Sequence, residues 1–138
     1  MKVLVIDGQG GGLGRQVVSA IKANFPDYEV IAIGTNSIAT AAMLKAGADK
    51  SATGENPVVV CSKSADVIIG PIGIVIADSM LGEITEKMAV AVAKSRARRI
   101  LVPVNLCDNF VVGVEDSSIS AMVECAIKEL GSRTIQEG

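Results

Sequence analysis

The chain contains no histidine and no tryptophan, and has one tyrosine and two phenylalanines among its 138 residues. Without histidine the commonest general acid or base is missing, so proton transfer at neutral pH would fall to carboxylates, lysines or the single phenol. Cysteine is scarce as well. Cys61, Cys107 and Cys125 are odd in number and lack C-x-x-C spacing, which argues against a disulfide framework or a zinc site and leaves them as small buried hydrophobes. No block of lysine or arginine is present, and a net charge of −2 offers no field for neutralising a phosphate backbone, so nucleic acid is not an expected partner. No apolar run reaches the roughly 20 residues of a membrane helix. The longest, Val67 to Ala77, is broken by Gly70, Pro71 and Gly73. The chain opens on an apolar strand rather than a basic leader with a cleavage site, so a cytoplasmic protein without membrane attachment is expected.

What is present is apolar material, 49% of the residues, which suits one core of ordinary domain size. Continuously apolar strands alternate with helical periodicity, the pattern of a parallel sheet covered on both faces. Strands are expected at Lys2 to Asp7, Glu29 to Gly34, Asp49 to Ala52, Asp66 to Gly70 and Arg99 to Val104, with a further one at Phe110 to Val114. The first helix carries Val17, Val18, Ile21 and Phe25 and ends at Pro26; a second runs from Ser37 to Lys45, with Gly47 placed for a left-handed stop. Asn56-Pro57 starts a short helix through Ser62, and Ile84, Met88, Ala91 and Val92 mark another. The last helix shows Ile119, Met122, Val123, Ala126, Ile127 and Leu130, is capped by Asp116 or Ser117, and stops at Gly131. Arg96, Arg98 and Arg99 fall where cations stabilise a helix C-terminus. The expected architecture is α/β: a Rossmann-like three-layer fold with a mostly parallel central sheet of five to six strands. It occupies residues 1–131, and 132–138 form a polar C-terminal tail.

The informative motif lies between the first strand and the first helix: Asp7-Gly8-Gln9-Gly10-Gly11-Gly12-Leu13-Gly14-Arg15. Glycine in regular structure costs roughly 0.5–1 kcal/mol in backbone entropy, so five in seven positions point to close approach by something bulky. In a strand-turn-helix unit, missing Cβ atoms let main-chain N–H groups and the positive helix end face a phosphate. The competing reading is a flexible turn without a ligand.

Gly8-x-x-x-Gly12-x-Gly14 resembles the turn of short-chain dehydrogenase/reductases, whereas G-x-G-x-x-G would need glycine at Leu13 or Arg15. That resemblance covers the first third of the chain and, more faintly, Gly70-Pro71-Ile72-Gly73, where those enzymes line the cofactor with an asparagine-alanine-glycine turn. It implies a dinucleotide but fails at the chemistry, because Tyr28 has Ala32 rather than lysine four positions on. Gly8-x-Gly10-x-Gly12 also resembles a methyltransferase turn. The second strand ends in Gly34-Thr35-Asn36-Ser37 without the acid that accepts from ribose hydroxyls, and Arg15 is a candidate partner for a 2′-phosphate. NADP, or another phosphate-bearing nucleotide, is therefore the expected cofactor.

Over nearly its full length the chain resembles a family of short bacterial Rossmann-like proteins known as a domain of unknown function. The residues that carry this are Val5 to Gly14, Gly70-Pro71-Ile72-Gly73 and Asp78-Ser79-Met80-Leu81-Gly82-Glu83. The resemblance implies the fold and no established activity.

Ligands of open parallel sheets lie beyond the carboxyl ends of the strands. That rule collects Gly8, Gln9, Gly10, Gly11, Gly12, Leu13, Gly14 and Arg15 with Thr35, Asn36, Gly70, Pro71, Ile72, Gly73 and Asn105 as cofactor-binding residues. Asp7 is expected to bind the turn's own N–H groups. Asp78 and Glu83 read as acids at a helix N-terminus, or else as a general base or indirect metal ligands; Cys107 would need a helix end or an arginine to form a thiolate. No catalytic set and no direct metal site emerge. The expected function is a non-catalytic nucleotide-binding or regulatory module. A homodimer is expected through Ile72 to Ala77 and Ile84 to Val92, because a chain this short cannot bury all its apolar residues, and the alternative function is an NADP-dependent oxidoreductase-like enzyme whose site that dimer completes.

Overall fold

The computed structural model describes residues 1–104, 106 and 108–137, the last five through their backbone alone. Val3 to Ile6 are β-branched or apolar throughout and form the middle of β1 (Lys2–Asp7), the central strand of the sheet. It is followed by α1 (Gly12–Asn24), β2 (Glu29–Gly34), α2 (Ser37–Lys45), β3 (Lys50–Thr53), α3 (Glu55–Cys61) and β4 (Val67–Pro71). A 3₁₀ turn at Ile72–Val75, then α4 (Glu86–Lys94), β5 (Arg98–Val102) and α5 (Ile119–Glu137) complete the described elements.

All strand pairs are parallel and run in the order β3-β2-β1-β4-β5. The chain winds outward from β1 through β2 to β3, then crosses back to β4 on the other side of β1. Alternate residues of β1 enter two cores. Val3 and Val5 join Val17, Ile21, Met43 and Leu130 beneath α1, α2 and α5, whereas Leu4 and Ile6 join Val58, Ile74, Ile84, Met88 and Val92 beneath α3 and α4. Leu4, Ile6, Ile33, Ile68 and Ile69 are fully buried, which is why these strands read as continuous apolar runs rather than alternating ones.

Helix ends follow from local hydrogen bonding. Gly47, at φ 119, donates to Leu44 O while Ala48 donates to Met43 O, the left-handed stop expected at that glycine. Arg99 donates through Nη1 to Ser95 O at 2.7 Å and Ala97 O at 3.2 Å, serving carbonyls past the end of α4. Arg98 pairs with Glu129 of α5.

Several expectations are corrected. Phe110 to Val114 forms no strand, so the sheet has five; Phe110 and Val112 are 86% and 85% exposed and pair with nothing in it. Ser118, not Asp116 or Ser117, caps α5, its Oγ accepting from Ala121 N–H at 3.1 Å. Gly131 does not stop that helix, which continues to Glu137; a Cβ there would stand 3.1 Å from Phe25 Cζ, so the glycine lets α5 pack on that ring. The two segments expected at a dimer contact are buried on one side only: Ile74, Ile84 and Val92 have no exposure and Met88 has 2%, whereas Val90 is 42% exposed and Ala77 is exposed.

The sheet has two unlike margins. β3 is four residues long, Lys50-Ser51-Ala52-Thr53, and every one of its side chains keeps some exposure. β5 pairs with β4 alone, and beside it Ile100, Val102, Val114 and Met122 line a groove of about 370 Å³. No helix among the described residues is long and apolar enough to cross a membrane.

Candidate functional site

Between β1 and β4 the winding direction reverses, and their carboxyl ends part to open the crevice where such sheets bind ligands. The glycine-rich turn lies at its rim. Asp7, 6% exposed, folds the turn: Oδ1 accepts from Gly8 N–H at 2.8 Å and Oδ2 from Gly14 N–H at 2.7 Å, tying β1 to the first turn of α1. Burial pushes the Asp7 carboxyl above its ordinary range, against the pull of those two N–H groups, and the charge of Glu83 pushes the same way as burial.

Three of the turn's five glycines are required by the protein's own atoms. A Cβ at Gly8 would stand 2.6 Å from Thr35 Oγ1 and 2.8 Å from Met80 Sδ. At Gly14 it would stand 2.5 Å from Met43 Sδ and 2.8 Å from Asp7 Cβ. Gly11, the N-cap of α1, has φ 74, and a Cβ there would stand 2.8 Å from Ala39 Cα. Gly10 and Gly12 differ: nothing lies within 4 Å of a Cβ at either. The N–H groups of Gly10, Gly12 and Leu13 have no acceptor among the described residues, so three donors and the positive end of α1 face open space. Leu13 contributes its backbone alone, since its side chain is in the core.

At the end of β2, Asn36 caps α2 by accepting Ala39 N–H at 2.9 Å on Oδ1, and its Nδ2 donates to Gln9 O at 2.8 Å. The premise that no acid stands at this strand end fails in three dimensions. Glu83 Oε1 accepts from Thr35 Oγ1 at 2.5 Å, Asn36 Nδ2 at 2.8 Å and Gln9 N–H at 2.9 Å. Thr35 first, then Gln9 and Asn36, hold this carboxyl below its ordinary range, against partial burial. Glu83 is not a helix-terminal acid either, because α4 is capped by Thr85 and begins at Glu86.

The loop that delivers Glu83 is strained. Asp78, Met80 and Leu81 have φ of 65, 55 and 56, and Gly82 has 87. Left-handed geometry costs a residue with a Cβ roughly 1–2 kcal/mol, and such strain clusters at functional sites. The loop is closed at its base by Asp78 N–H donating to Ile84 O at 2.8 Å, with Met80 and Ile84 in the core and Leu81 98% exposed.

Gly70 to Gly73 stand at the carboxyl end of β4, on the crevice, but in packing roles. Gly70 and Pro71 are buried within β4, and Gly70 is there because a Cβ would stand 2.5 Å from Ile6 O. Gly73 is buried and its carbonyl accepts from Ser79 Oγ at 2.5 Å, so this glycine pair serves packing; Ile72 opens the 3₁₀ turn. Arg15 lines a groove among α1, α2 and α5 with Lys45 and Glu124. Asp78 is exposed at the loop base. Asn105 and Cys107 lie outside the described residues.

A parallel sheet wound in both directions from β1, covered by helices on both faces and fronted by this turn, defines a Rossmann-like α/β protein. More particularly, the chain belongs to the family described as Domain of unknown function (DUF3842), whose model matches residues 2–135. No curated protein matches the sequence. Among solved structures, AibC superposes with a TM-score of 0.53 at 19% identity, over 91% of this chain and 37% of that one. The chain thus spans little more than a third of AibC's length, and the likeness is one of fold. A dodecameric FMN-dependent Ubix-like decarboxylase from Escherichia coli O157:H7 gives a TM-score of 0.46 at 20% identity, over 95% of this chain and 76% of that one.

Proposed function

We propose that this protein binds a phosphate-bearing nucleotide at the glycine-rich turn and acts as a binding or regulatory module. One observation carries the reading. Gly8, Gly11 and Gly14 are accounted for by internal packing, but Gly10 and Gly12 are not, and among the described residues their N–H groups and that of Leu13 have no acceptor. Main-chain donors at a helix N-terminus with no side chain over them suit a phosphate.

The NADP form of this reading rested on a missing acid and on Arg15 near the β2 end. Glu83 now stands at that strand end and Arg15 lines another groove, so what support remains is for a nucleotide without a 2′-phosphate requirement. The oxidoreductase alternative finds little support, since Ile74, Ile84 and Val92 of its expected dimer contact are buried within the protomer. It also lacks a free acid–base pair in the crevice, where both Asp7 oxygens and one Glu83 oxygen already accept hydrogen bonds.

Calorimetric titration with ADP tests the proposal. The wild type should bind, and Gly12→Val, whose side chain covers the turn's donors, should weaken binding at least about tenfold, roughly 1.4 kcal/mol, with circular dichroism unchanged. Equal affinity in a folded Gly12→Val protein would remove the turn as the site.

A further inference from the structure

Glu83 and Thr35 are 48 positions apart, yet three hydrogen-bond donors converge on a single Glu83 oxygen. Thr35 and Asn36 follow the end of β2, and Gln9 belongs to the turn, so the carboxylate bridges the two segments that flank a nucleotide's ribose in this fold. Its other oxygen, Oε2, has no partner among the described residues, and the side chain is partly exposed. A carboxylate whose one oxygen is saturated by donors is fixed in direction, and its second oxygen is left as a pure acceptor.

We infer that Glu83 is the specificity-determining residue for the ribose. Its Oε2 accepts from the vicinal 2′ and 3′ hydroxyls of a nucleotide whose phosphate lies on the Gly10, Gly12 and Leu13 N–H groups. The ligand is then a nucleoside phosphate with an unmodified diol, and a 2′-phosphorylated relative is rejected by charge. This rests on the nucleotide reading above. In other dinucleotide-binding units the acid ends the second strand; here the hydroxyl and amide of Thr35 and Asn36 receive an acid sent from the β4–α4 loop. The loop's strain fits that role, because left-handed residues at Met80 and Leu81 turn the chain sharply enough to carry Glu83 over Gly8. Among the described residues no lysine or arginine forms an ion pair with Glu83.

The other use of such a carboxylate is as a plug that occupies the anion site. The free N–H groups of Gly10, Gly12 and Leu13 argue against it, since the phosphate donors remain open with Glu83 in place.

The test compares ADP, 2′-deoxy-ADP and 2′-phospho-ADP by calorimetry, in the wild type and in Glu83→Gln, with circular dichroism to confirm folding. The wild type should bind ADP at least about tenfold more tightly than either analogue, the scale of one hydrogen bond to a charged group. Glu83→Gln keeps an oxygen for the three donors but offers an N–H₂ outward, so its preference should shift toward 2′-phospho-ADP. Binding of all three with equal affinity by the wild type would overturn the inference and leave the nucleotide reading intact. Binding of none would overturn both. A Glu83→Gln protein that binds inorganic pyrophosphate more tightly than the wild type, with diol discrimination unchanged, would overturn it in favour of the plug.

Discussion

Replacing the turn's five glycines by alanine, one at a time, should divide them into two groups by stability. At Gly14 the new methyl lies 2.5 Å from Met43 Sδ, 2.8 Å from Asp7 Cβ and 3.1 Å from Asp7 Oδ2. Methionine can swing aside, but Asp7 is held by its strand and by two accepted hydrogen bonds, so α1 must move off β1. Overpacking of this kind costs about 1–3 kcal/mol, of which alanine's better helix propensity offsets at most about 1 kcal/mol. Gly11→Ala adds about 1–2 kcal/mol for a left-handed φ to its clash with the Ala39 backbone. Gly8→Ala strikes Thr35 Oγ1 at 2.6 Å and so disturbs the hydrogen bond to Glu83. Gly10 and Gly12 meet nothing within 4 Å, and Gly12 has ordinary helical geometry in the first turn of α1, so both should accept alanine with no loss. For a chain of this length about 1 kcal/mol shifts Tm by roughly 2–6 °C, a separation that thermal unfolding followed by circular dichroism resolves without any nucleotide present. A Gly12→Ala protein that melts as low as Gly14→Ala would refute the division, and with it the case that Gly10 and Gly12 are kept for a ligand.

Acid should act on Glu83 and Asp7 in opposite directions. The lowered Glu83 value means that its stabilisation is complete above the ordinary 4.5 and is lost as pH falls through the folded value beneath it; Glu83→Gln should flatten that acid limb in urea unfolding at stepped pH, and identical limbs would contradict the assignment. The raised Asp7 value has the reverse sign, its contribution being complete below the ordinary 3.8 and lost as pH rises through the folded value above it, so Asp7→Asn should remove that part of the profile. The same variant leaves one of the Gly8 and Gly14 N–H groups facing an amide, at a cost of about 1–3 kcal/mol at neutral pH. Self-association should use the exposed Phe110 and Val112, so light scattering at micromolar concentration should report twice the chain mass for the wild type and a monomer for Phe110→Asp; a monomeric wild type would end that idea.

The strands and their order of appearance were legible because a sheet buried on both faces writes itself as unbroken apolar runs, as Val3 to Ile6 and Val67 to Ile69 do. The turn was legible for a similar reason, since glycines so crowded have few other uses. Which of them serve packing was not, because that depends on Met43, Thr35 and Ala39 arriving from other elements. Phe110 to Val114 shows how a β-prone run can lack a partner: its residues have the composition of a strand, but composition supplies no neighbour. Glu83 stood out as an acid in the sequence, but its place at the β2 end did not. Its flanking sequence reads as the approach to a helix, and no periodicity links it to Thr35, although an unaccompanied Thr35-Asn36 pair at a strand end is a vacancy that an acid from elsewhere can fill.

The unlike margins of the sheet bear on how large any assembly can grow. A strand that could be extended at both sides would let copies add end to end into filaments. Here β3 is short and polar, with Lys50 paired to Glu29 on its neighbour at 3.3 Å, which gives an incoming strand little to lie against. The β5 side alone offers an unpaired backbone edge beside apolar side chains. Were two copies to meet through that margin about a twofold axis, the adhesive edge of each would be used up and growth would end at the pair.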